Sequence, residues 1–159
     1  MSKSVLISIQ PKWCELIASG EKTVEVRKTK PKLETPFKCY IYETKKKINP
    51  WCNGKGKVIG EFVCSNIAKG TSQFGSCLTM QEISEYANNK EVYGWCISDL
   101  KIYDKPRELS EFYKPCVYGE DSDVSCFLCV KSGYRPDMHI DCFNKVARPP
   151  VSWCYVDEV

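Results

Sequence analysis

Ser8-Ile9-Gln10-Pro11, running on through Ile17-Ala18-Ser19-Gly20-Glu21-Lys22-Thr23-Val24-Glu25-Val26-Arg27, changes conformation twice in quick succession. The residues Val5-Leu6-Ile7-Ser8-Ile9 are a short β-rich run. Pro11 follows where proline suits a first helical turn, since the N–H it lacks has no partner there anyway. Trp13, Leu16 and Ile17 fall at i, i+3 and i+4, which predicts a short helix with those three inward and Lys12, Glu15 and Ser19 outward. Gly20 supplies its C-terminal stop. Thr23 to Arg27 then alternates as a half-buried strand would, with Val24 and Val26 on one face and Thr23, Glu25 and Arg27 on the other.

Working outward, Cys39 to Glu43 reads as a strand, and Lys57 to Ile67 as a longer one after the Gly54/Gly56 turn. Thr79 with Glu82 three residues on has capping-box spacing and predicts a second helix. Val92 to Ile97 and Asp99 to Tyr103 return to β character, Pro106 to Tyr113 reads as a short helical turn, and Ser152 to Val156 as a final strand. Many short strands with two or three short helices predict an α+β chain built on a small mixed β-barrel. The 159 residues are expected to form a single domain, with an irregular cysteine-rich insertion at about 115–144 hung before the last strand.

A composition of 43% hydrophobic and 27% charged residues is that of a folded globular chain. No apolar run is long enough for a membrane span and the N-terminus lacks a signal-peptide pattern, so a cytoplasmic location is expected, with the 11 cysteines reduced. The net charge of +3 conceals an asymmetry: residues 1–60 hold 13 Lys or Arg against 5 Glu, and the rest holds 10 against 15 acidic residues. A field of that shape draws phosphates to one end of the fold, although lysines such as Lys45, Lys46 and Lys47 equally suit a solvated loop. Neither a phosphate-cradling Gly-x-x-x-x-Gly-Lys nor a dinucleotide fingerprint is present, which excludes ATP and NAD as expected cofactors.

Gly20, Lys22, Glu25 and Arg27 spell Gly-x-Lys-x-x-Glu-x-Arg at a helix-to-strand junction. A lysine at the mouth of a strand and an arginine along it can hold a phosphate or carbonyl, while the glutamate orients them or accepts a proton. The plainer possibility is that Glu25 and Arg27 pair with each other. The stretch resembles the signature of the ASCH family, over roughly residues 4–104 and the final strand. Arg148 to Val156, with Tyr93-Gly94-Trp95 and Ile97-Ser98-Asp99-Leu100, is similar to a bacterial and phage-associated subgroup. That resemblance implies a PUA-like barrel whose cleft, between the first helix and the barrel, takes RNA or a nucleoside-like small molecule. Lys22, Glu25 and Arg27 would bind it, with Lys12 and Trp13 beside them.

Family members include amidohydrolases acting on an acetylated cytidine through the motif lysine, a threonine nucleophile and a distant glutamate, and others described as ribonucleases or RNA binders. The threonine position corresponds to Glu25 here, which removes that nucleophile. The expectation is therefore a binder, with a hydrolase using Lys22 and Glu25 as the alternative.

Two further groups stand out. Trp13, Trp51, Trp95 and Trp153 are stacking platforms for a base or, more commonly, core residues, and one or two are expected at the cleft. Cys126-x-x-Cys129 and His139-x-x-Cys142, with Cys116 as a fifth candidate, form knuckle-like pairs suited to a structural zinc. Buried thiols acting as small hydrophobes are the alternative, because Phe127 and Leu128 between the first pair are strand-like.

Overall fold

The structure is a computed structural model and describes residues 3–70, 75–115 and 145–159. The first strand, β1 (Lys3–Ile9), leads through Gln10 into helix α1 (Pro11–Ala18), with the proline in its first turn. There follow β2 (Val24–Arg27), β3 (Phe37–Glu43), a small hairpin of β4 (Lys47–Asn49) and β5 (Cys52–Asn53), and the long β6 (Lys57–Lys69). Helix α2 (Met80–Ala87), β7 (Tyr93–Arg107), a 3-10 turn at Leu109–Glu111 and β8 (Trp153–Asp157) complete the described chain. No helix is long and apolar enough to cross a membrane among the described residues.

Six strands form one curled, half-barrel sheet in the order β2-β7-β6-β3-β1-β8, matching an α+β, PUA-like architecture. Parallel pairing of β1 with β3 places α1 as the crossover beside them, and the other ladders are antiparallel. Val5, Ile7 and Ile9 point to a core shared with Cys14 and Ile17 of α1 and with Phe62 and Trp95. Leu6, on the opposite face of β1, packs with Tyr40, Tyr42 and Phe112. Burying both faces explains why β1 reads as a near-continuous apolar run, interrupted at Ser8, rather than an alternating one.

Several expectations need adjustment. In α1 the buried residues are Pro11, Cys14 and Ile17; Trp13 and Leu16 are only half-buried, because the helix is rotated to seat Cys14 on the sheet. The two strands expected at 92–97 and 99–103 are one, bent at Asp99, which takes a left-handed φ of 47° where the ladder to β6 slips register. Strand β2 is covered on both faces: Val26 packs with Ile83 and Val92 under α2, while Glu25 and Arg27 are buried on the other side. Lys47 lies in β4 rather than in an open loop. The Thr79 capping box forms as expected, with Thr79 Oγ1 accepting from the Glu82 N–H and Glu82 Oε2 accepting from the Thr79 N–H.

Candidate functional site

Gly20, in the left-handed region at φ 82°, ends α1 and turns the chain so that the Lys22 N–H donates to the Leu16 carbonyl at 2.9 Å. Lys22 is thereby carried under the helix, where only 2% of it is exposed. A lysine so buried requires partners. Its ammonium donates to the carbonyls of Val24 (2.8 Å) and Ser76 (2.6 Å) and stands 3.3 Å from Glu25 Oε2. All three N–H donors of Lys22 thus face an acceptor.

Glu25, 6% exposed, holds Arg27 with its other oxygen, Oε1, at 2.9 Å. Arg27 in turn reaches across the fold, donating from Nη2 to the Ser8 carbonyl (2.6 Å) and from Nη1 to Ser152 Oγ (3.3 Å). Among the described residues β2 and β8 are the two edges of the sheet, so this guanidinium ties one edge to the residues flanking the other. Trp153 Nε1 donating to Thr29 Oγ1 and the Lys32 N–H donating to the Tyr155 hydroxyl close the same seam. The plainer possibility for Glu25 and Arg27 is realised, since they do pair, yet inside a buried network of two cations and one anion rather than on the surface.

That network lines a cleft of about 920 Å³. Gln10 and Trp13 form one wall, Glu82, Glu85 and Tyr86 of α2 a second, and Thr44, Lys45 and the segment from Pro149 to Ser152 the remainder. Trp13 is half-buried, with Lys22 Nζ 5.2 Å and Lys12 Nζ 4.4 Å from its ring centroid. Lys12 itself is exposed and sits outside the cleft, above Trp13. Tyr86 carries the Lys28 ammonium 4.8 Å from its ring, and burial raises the pKa of its hydroxyl. Lys28 follows the motif directly in the chain, but nothing in the sequence pattern marks Tyr86 or Lys45 as neighbours of the motif; α2 and the end of β3 bring them there.

Cys14 gives the cleft no nucleophile. Burial, then the charges of Glu43 and Glu25, push its thiol far up, and Sγ donates to the Ile9 carbonyl. Of the remaining tryptophans, Trp95 is wholly buried against Phe37 and Trp153, and Trp51 is 95% exposed on the β4–β5 hairpin. Among the described residues no three His, Cys, Asp or Glu side chains converge as metal ligands. The zinc candidates Cys116, Cys126, Cys129, His139 and Cys142 lie outside the described residues.

The same fold occurs in solved structures. The ASCH protein of Zymomonas mobilis is 20% identical, with a TM-score of 0.62 over 98% of this chain and 88% of that one. A tyrosine-to-phenylalanine mutant of the Zymomonas mobilis protein gives 18% identity and a TM-score of 0.63, over 99% of this chain and 92% of that one. No curated protein is significantly similar in sequence. The sequence profile of the ASCH domain matches residues 7–130, which span both α1 and the Gly20–Arg27 motif. The chain belongs to the ASCH domain family.

Proposed function

We propose that this protein is an RNA- or nucleoside-binding ASCH module whose ligand occupies the cleft between α1, α2 and the curled sheet. The observation that carries this reading is the buried Lys22–Glu25–Arg27 network, which leaves one net positive charge fixed at the base of an open 920 Å³ cleft. Its volume suits a nucleotide-sized ligand. Trp13 and Tyr86 offer aromatic surface in the walls, and Lys28 and Lys45 offer mobile cations for phosphate.

Binding is favoured over turnover by how the motif spends its polar atoms. Lys22 has no donor left over, and each oxygen of Glu25 is held by a cation. A hydrolase using this pair for proton transfer would first have to break that network, at a cost of several kcal/mol.

The test is affinity for short RNA and for nucleoside monophosphates across a salt titration, with Trp13→Ala and Lys28→Ala as cleft variants. Binding should weaken as salt rises and weaken further in both variants. Absence of binding at low salt, or indifference to both substitutions, removes the reading. Incubation with acetylated cytidine and with RNA tests the hydrolase: turnover that Trp13→Ala and Lys28→Ala reduce would establish it in place of the binder.

A further inference from the structure

The β4–β5 hairpin stands at the rim of the cleft and has chemistry that the cleft itself does not use. From Thr44 to Gly60 the chain carries Lys45, Lys46, Lys47, Lys55 and Lys57 and no carboxylate. Lys57 is paired with Glu108. None of the other four makes an ion pair among the described residues. At the turn between the strands Trp51 is 95% exposed, and Ile48 in β4 is 46% exposed. A tryptophan normally removes about 150–250 Å² from water on folding, and here the fold leaves almost all of that surface open.

The hairpin is held in place despite its exposure. The Gly54 N–H donates to the Lys46 carbonyl at 2.9 Å, and the Lys55 N–H donates to Glu43 Oε2 at 2.7 Å. Lys46 Nζ donates to Gln10 Oε1 at 3.0 Å, and Gln10 is itself a cleft residue. At the tip, the Trp51 N–H donates to Asn49 Oδ1, fixing the turn that presents the indole. Lys45, two residues before β4, lines the cleft. Cleft, lysines and exposed indole therefore follow one another along a continuous edge.

We infer that this hairpin is a second RNA contact, in which Trp51 stacks on an unpaired base of a strand whose neighbouring nucleotide lies in the cleft and whose phosphates run past Lys45, Lys46 and Lys47. The inference rests on the cleft reading above and specifies its ligand as single-stranded RNA longer than one nucleotide. An indole stacks on any base without reading sequence, so the contact adds affinity and a preference for unpaired over duplex RNA. The absence of carboxylates across the segment matches a polyanion better than a protein surface of mixed charge.

The experiment compares wild type, Trp51→Ala and Trp51→Phe in binding an oligouridylate of about eight nucleotides, uridine monophosphate and duplex RNA. Wild type should bind the oligonucleotide more tightly than the mononucleotide or the duplex. Trp51→Ala should weaken oligonucleotide binding about 5- to 150-fold, the range of one base–aromatic stack, while leaving mononucleotide affinity unchanged. Trp51→Phe should keep most of the affinity but lose the part of the fluorescence quenching that the strand causes at Trp51 in wild type.

Oligonucleotide affinity unchanged in Trp51→Ala, with mononucleotide binding intact, overturns the hairpin contact and leaves the cleft reading standing. Duplex bound as tightly as single strand also overturns it. If the oligonucleotide binds in a Trp51-dependent way while mononucleotide binding is absent and Trp13→Ala has no effect, the hairpin stands and the cleft reading falls. No RNA bound at low salt removes both.

Discussion

The base of the cleft and the β4–β5 hairpin are built from the same basic N-terminal stretch, yet they treat their lysines in opposite ways. Lys22 is buried with all three donors committed, and Arg27 bridges two edges of a sheet. Lys45, Lys46 and Lys47 are exposed, and none is ion-paired among the described residues. What separates them is desolvation. A cation taken out of water is stable only where carbonyls and a carboxylate replace the water it lost, and such a group becomes part of the framework. A solvated cation keeps its freedom to meet a ligand. The motif therefore gives the cleft its shape and fixed field, and the rim supplies the adaptable contacts.

Glu25→Ala should break the comparison most severely. It strands Lys22 and Arg27 as two buried cations without a counter-charge, and the expected loss is about 3–5 kcal/mol of folding stability, read from urea unfolding. A loss below about 1 kcal/mol, the range of exposed pairs, would mean that water reaches the network and that it is no framework. Gly75→Ala should come next. Gly75 sits at φ 78°, its carbonyl accepts from the Thr23 and Val24 N–H groups, and an added Cβ would lie 2.2 Å from Thr23 Oγ1. Since this turn delivers the Ser76 carbonyl to Lys22, a destabilisation of about 1–3 kcal/mol is expected in the same assay.

Much of this framework was legible because local rules and tertiary packing agree. Pro11, Gly20 and the Thr79–Glu82 spacing each mark a helix end that the fold keeps. The motif residues share a face because a strand alternates, and Glu25 and Arg27 needed nothing further to be placed together. Periodicity could not reveal that β2 would be covered twice, since α2 arrives from more than fifty residues away. For the same reason Tyr86 and Lys45 entered the cleft unannounced. The tryptophans show the limit most clearly: Trp51 and Trp95 were indistinguishable platforms in the sequence, and the fold buries one completely and leaves the other in solvent. The split of β7 into two strands failed at Asp99, where a bulge imitates a turn.

A smaller effect sharpens the contrast through pH. Cys14, beneath the cleft, has its thiol raised far above its ordinary 9.0, chiefly by burial and then by Glu43 and Glu25. Cys52, on the hairpin, is exposed. In the unfolded chain Cys14 ionises near pH 9, whereas the folded protein keeps it protonated. The unfolded state thus binds fewer protons above that pH, and stability falls as pH rises. Cys14 should contribute up to about 1.4 kcal/mol per pH unit to that fall. Cys14→Ala should flatten the slope between pH 9 and 11 relative to wild type. Equal slopes in the two proteins would show that Cys14 is open to solvent.

The smallest expected effect is the most discriminating. Trp51→Ala removes the largest aromatic side chain of the hairpin, and in a buried position such a change costs about 3–5 kcal/mol. Here the indole is 95% exposed, and the Trp51 N–H that donates to Asn49 Oδ1 belongs to the backbone, which alanine keeps. Urea unfolding of Trp51→Ala should therefore stay within about 0.5 kcal/mol of wild type. A destabilisation above about 1 kcal/mol would mean that the indole packs against the protein and that its exposure is no vacancy for a base. Near-neutral stability in a variant that has lost affinity for single-stranded RNA would separate recognition from folding at this residue. No substitution of Lys22, Glu25 or Arg27 can make that separation, because each of those side chains holds the cleft together.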